Sequence, residues 1–74
     1  MENKEIPELR EWVVFTDNKN IEPHFHLEGD VYGDERFYSG EFIMTSRVIS
    51  IIDGIATTKS GRQYRLGHCR RFRK

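Results

Sequence analysis

The segment Val48-Ile49-Ser50-Ile51-Ile52 holds four β-branched residues in five and stops at Asp53-Gly54; no other feature of the chain restricts its fold more. Branching at Cβ stiffens χ1 and favours the extended backbone. Asp-Gly is a preferred dipeptide for a two-residue type I′ turn, so Ile55-Ala56-Thr57-Thr58 is expected to return antiparallel. Lys59-Ser60-Gly61 predicts a second hairpin turn. Arg62 to Leu66 then forms the next strand, with Tyr64 and Leu66 inward and Gln63 and Arg65 outward. With a strand over Phe42 to Ser46 in front, residues 42–66 read as a β-meander.

Upstream the signals are also of strand type. Pro7 suits a first helical turn, and Glu8 to Glu11 are expected to complete a short one. Trp12-Val13-Val14-Phe15-Thr16 is aromatic and β-branched and ends in the turn formers Asp17-Asn18-Lys19-Asn20. After Pro23, Phe25, Leu27 and Val31 alternate with His24, His26, Glu28, Asp30 and Tyr32, the period of a half-buried strand. Gly29 inside that run predicts a bulge or sharp bend. Residues 33–40 form a loop displaying Phe37 and Tyr38. The expected fold is mostly β, a small antiparallel meander closing into an SH3-like barrel with a short N-terminal helical turn. Residues 1–74 are expected to make one domain, with 1–10 and 68–74 flexible or peripheral.

Seventy-four residues lie near the size at which a core alone offsets chain entropy. A deep substrate cavity would consume much of that core, so surface recognition without catalysis, and without a cofactor, is expected. The single Cys69 forms no internal disulfide and suits a reducing cytoplasm. Met1 to Glu5 lead into no apolar stretch, so neither a signal peptide nor a membrane span is expected.

The net charge of zero conceals an asymmetry. Residues 1–35 carry ten Asp/Glu against three Lys/Arg, a net −7, and residues 36–74 carry nine Lys/Arg against two Asp/Glu, a net +7. The halves either neutralise each other on packing or leave one acidic and one basic face that steers the molecule onto complementary surfaces.

Three constellations carry possible chemistry. Glu28, Asp30, Asp34 and Glu35, with Tyr32, Phe37 and Tyr38, combine carboxylates and aromatics in the manner of a protein-binding surface. Arg62, Arg65, Arg70, Arg71 and Arg73, with Phe72 interleaved, suit phosphate contacts and base stacking, the alternative of direct RNA or DNA binding. His24 and His26, two apart on a strand, are a workable pair of metal ligands, a further alternative that needs convergent partners.

Arg36-Phe37-Tyr38-Ser39-Gly40, Ile43-Met44-Thr45-Ser46-Arg47-Val48, Ile52-Asp53-Gly54, Thr58-Lys59-Ser60-Gly61 and Tyr64-Arg65-Leu66-Gly67 form a pattern that resembles short uncharacterised bacterial and prophage proteins. The resemblance implies the hairpins and carries no assigned activity. Proteins of that type are often accessory factors of mobile elements, so it implies a phage or prophage factor that inhibits or modulates a host protein or nucleoprotein complex, as anti-defence proteins do.

Overall fold

A computed structural model describes residues 6–17 and 24–70 of the chain. Among the described residues six strands follow one another: β1 (Glu8–Asp17), β2 (His24–Tyr32), β3 (Glu41–Met44), β4 (Val48–Ile52), β5 (Ile55–Thr58) and β6 (Gln63–Leu66). They form one mixed sheet in the order β3-β2-β1-β6-β5-β4. Two antiparallel meanders, β1-β2-β3 and β4-β5-β6, therefore meet where β1 and β6 pair in parallel. The turn expected at Asp17 to Asn20 lies largely outside the described residues.

The hairpins obey their turn chemistry. Asp53 (φ 52°) and Gly54 (φ 76°) both adopt the left-handed conformation that a type I′ turn needs, and Ile52 pairs with Ile55 across them. Tyr64 is buried and Arg65 exposed, as the alternation predicts.

The meander of residues 42–66 needs correction, because β3 leaves it and pairs with β2 instead. Three residues, Thr45 to Arg47, connect β3 to β4, strands at opposite ends of the sheet. Flat, six strands spaced about 4.8 Å apart would separate those ends by about 24 Å. Met44 and Val48 lie four residues apart, a reach of at most about 14 Å. The sheet must therefore curl until its edges approach. Thr45 marks the corner: its N–H donates to Leu27 O (2.8 Å), its hydroxyl accepts from Leu27 N–H (3.0 Å), and Arg47 O accepts from Lys59 N–H (2.8 Å). No ladder joins β3 to β4, so the sheet remains open between them.

The helical turn expected at the N-terminus is also corrected, since Glu8 to Glu11 belong to β1. Tertiary pairing overrides the local signal. Leu9 is fully buried between Val31 on β2 and Leu66 on β6, and Pro7 O accepts from Arg65 N–H at 2.8 Å. Glu8 to Arg10 are thus not peripheral. Neither are residues 68–70, which continue from Gly67 along β1: Gly67 N–H donates to Leu9 O (2.9 Å), Trp12 N–H to His68 O (3.3 Å), Arg70 N–H to Trp12 O (2.9 Å), and the Trp12 indole N–H to Gly67 O (2.9 Å).

The expected irregularity at Gly29 exists, but the extra residue sits on the facing strand. Pairing shifts between Arg10 and Val13 of β1, and Glu11 there adopts a positive φ of 52°. Gly29 is the buried residue that this bulge crosses.

Leu9, Leu27, Val31, Ile43, Val48, Ala56 and Tyr64 form the core inside the curl, with Trp12, Phe25, Phe37 and Leu66 at its margin. Thr45 and Thr58 are buried with it, and no buried side-chain polar atom among the described residues lacks a hydrogen bond.

Candidate functional site

Directly opposed residues share a face of the sheet, so the register assigns the outer surface. Leu27, Gly29 and Val31 point inward, which leaves His24, His26, Glu28, Asp30 and Tyr32 outside. Asp30 lies between Phe42 on β3 and Arg10 on β1, Glu28 lies between Met44 and Val13, and His26 lies beside Phe15. Phe15, Phe42 and Met44 are all exposed. The outer face of β3-β2-β1 thus sets two carboxylates in a frame of large apolar side chains. Arg10 forms no ion pair with either of them: its Nε donates to the Glu8 carboxylate at 3.0 Å, and its guanidinium lies 4.2 Å over the Tyr32 ring. Glu28 and Asp30 form no ion pair or hydrogen bond through their side chains with another described residue.

The sequence pattern placed Glu28, Asp30 and Tyr32 on this face but missed Phe15, Phe42 and Met44. A signal was present: Phe42-Ile43-Met44 is apolar on both faces of a short strand, so either Ile43 or its two neighbours had to face outward.

The loop at 33–40 divides the remaining candidates. Asp34 is committed internally, its side chain only 9% exposed. It accepts from Arg36 Nη2 at 2.8 Å, Arg36 Nε at 3.2 Å and the Arg36 backbone N–H at 2.9 Å, while Arg36 Nη2 also donates to Tyr64 OH at 3.0 Å. Phe37 packs on the core margin, with the Arg36 guanidinium 4.8 Å from its ring. Glu35 and Tyr38 face solvent, Tyr38 at 87% exposure. An open cleft of about 500 Å³ lies between this loop and the 59–62 turn, with Pro7, Arg36, Arg62 and Gln63 among its walls.

The Arg36 side-chain hydrogen bond holds the Asp34 carboxyl below the usual carboxylate range, and Asp34 in turn raises Arg36 above the ordinary guanidinium value. A carboxyl with a depressed folded-state pKa contributes stability that is complete above its unfolded value, about pH 4, and disappears as pH falls through the folded value. Wild-type protein is therefore expected to lose thermal stability below about pH 4 more steeply than Asp34→Asn. Parallel acid limbs in the two melting-temperature profiles would assign that loss to other groups.

The arginines of the alternative nucleic-acid surface are dispersed. Arg62 borders the cleft, Arg65 points outward between Ile55 and Glu8 of the neighbouring strands, and Arg70 lies beside Trp12 on the segment along β1. Arg71 and Arg73 lie outside the described residues. Among the described residues a single ion pair, Arg36–Asp34, joins the two charged halves, and it does so right at their boundary. The pairs between described residues, Arg10–Glu8 and Arg36–Asp34, each join residues two apart in sequence.

His24 and His26 stand edge to face with ring centroids 5.7 Å apart. His26 Nδ1 lies 3.1 Å from Thr45 O; a carbonyl only accepts, so Nδ1 carries the hydrogen and the neutral ring presents Nε2 as acceptor. Among the described residues no group of three or more His, Cys, Asp or Glu is placed to hold a metal. A divalent ion on this pair would lack convergent ligands among the described residues.

Comparison with known proteins finds no matching family model, no matching curated protein and no matching solved structure. The surface chemistry is therefore the ground for a functional reading. No helix among the described residues is long and apolar enough to cross a membrane.

Proposed function

We propose that this chain is a non-catalytic binding domain that docks a macromolecular partner on the outer face of β3-β2-β1. The carrying observation is the pair of unengaged carboxylates, Glu28 and Asp30, set among exposed Phe15, Phe42 and Met44. A complementary partner presents basic groups to the carboxylates and apolar groups to their frame. Aromatic and methionine side chains supply contact area at such surfaces, while the carboxylates set approach and register. Tyr32 on the same face and Tyr38 at the loop tip extend the contact, with Glu35 contributing charge at its rim.

The framework is a curled sheet of the SH3-like kind, left unzipped between β3 and β4. Resemblance of its hairpins to short prophage proteins supports an accessory factor that modulates or inhibits a host protein or nucleoprotein complex. Direct RNA or DNA binding through Arg62, Arg65 and Arg70 gains no support from their dispersed placement.

The test is capture from a bacterial lysate at low and high salt, with and without nuclease. Wild-type protein is expected to retain a nuclease-resistant protein partner that high salt releases. Phe42→Ala/Met44→Ala should lose it by at least about tenfold, Glu28→Gln/Asp30→Asn should bind more weakly with a flattened salt dependence, and Arg62→Ala/Arg65→Ala should still bind. Nuclease-sensitive material lost only in the arginine variant would overturn the proposal in favour of nucleic acid.

A further inference from the structure

We infer that β4 is a self-association edge, through which two copies of this chain join antiparallel about a two-fold axis. Among the described residues β4 ends the sheet and pairs only with β5, so its other side offers backbone N–H and C=O groups to an incoming strand. Soluble proteins usually guard such an edge with charge, proline or a short strand. Val48-Ile49-Ser50-Ile51-Ile52 carries neither charge nor proline, and Ile49 and Ile52 are 61% and 66% exposed. The strand itself carries one protective device, a bulge between Val48 and Ser50, which leaves Ser50 to Ile52 in regular register. Ile51 shares the inner face with buried Ala56, and Ile52 shares the outer face with Ile55. A strand added here covers isoleucine on both sides of the sheet.

The flanking charges select a second copy as that strand. Arg47 precedes β4 and Asp53 follows it, and neither side chain forms an ion pair with another described residue. Antiparallel pairing brings Arg47 of each copy toward Asp53 of the other, whereas parallel pairing sets like charge beside like. The uncharged interior opposes no charges in either case. A two-fold contact is also closed, because each edge consumes the other and no array grows. The contact is made by β4 and uses none of Glu28, Asp30, Phe42 and Met44, so substitutions in β4 and on the proposed docking face test the two readings separately.

A single strand-to-strand contact is a small interface, and a dissociation constant on the order of 10–100 μM is expected. Sedimentation should show the 8.8 kDa chain passing from monomer to dimer across roughly 5–500 μM. Ile49→Lys and Ile52→Lys should each weaken the dimer about tenfold or more. Asp53→Asn keeps a residue suited to the left-handed turn; with an unchanged melting temperature at low protein concentration, it should weaken the dimer severalfold at low salt and less at high salt. A wild-type monomer throughout the range, assembly beyond the dimer, or a dimer indifferent to all three substitutions overturns the inference.

Discussion

Leu9→Ala is expected to bring the domain close to unfolding at room temperature. Leu9 is fully buried and pairs with Val31 on one side and Leu66 on the other, in the short stretch of β1 that joins the two meanders. Truncating a buried leucine costs about 2–5 kcal/mol through lost transfer energy and the cavity left behind. At about 0.05–0.15 kcal/mol per residue, 74 residues have about 4–11 kcal/mol in total. The substitution therefore removes a large share of the stability, with a fall in melting temperature of the order of 10–30 °C. Urea unfolding followed by Trp12 fluorescence measures it, since the indole hydrogen-bonds to Gly67 on the segment after β6. A loss under about 1 kcal/mol would show that the β1–β6 junction relaxes around the cavity.

The second large effect is expected at Gly29, with a sign opposite to the general trend. Glycine inside a regular element normally costs about 0.5–1 kcal/mol relative to alanine, so Gly→Ala usually stabilises. At position 29 an added Cβ would lie 2.8 Å from Arg10 O, 3.1 Å from Trp12 Cα and 3.1 Å from Leu9 Cγ. The first two are backbone atoms of the bulged stretch of β1, so relief requires the bulge to shift. Gly29→Ala should then destabilise by about 1–3 kcal/mol, the scale of overpacking in a closed core. It should also disturb the Trp12 contacts with Gly67, His68 and Arg70. Chemical denaturation with near-UV circular dichroism tests both effects; a neutral or stabilised variant would mean that the close approach is not a constraint on folding.

Glu28 and Asp30 were legible as site candidates because a period of two alone puts them on the face opposite Leu27 and Val31. Asp34 looked equivalent in sequence but is held by Arg36, which also reaches Tyr64, 28 residues further on. Phe42 and Met44 become part of the same face only because β3 pairs with β2.

The sequence by itself determined where most strands run and where they turn, because β-branched runs, alternation and Asp-Gly act through sterics within a few residues. Only the tertiary structure decided how those strands are ordered. The Trp12–Gly67 hydrogen bond joins residues 55 apart, and the parallel β1–β6 pairing that draws Glu8 to Glu11 into a strand has no local signature. The same long-range pairing carries β3 away from β4, curls the sheet over its core and leaves both edge strands exposed, since strand order depends on which non-local hydrogen bonds and buried contacts can be satisfied together.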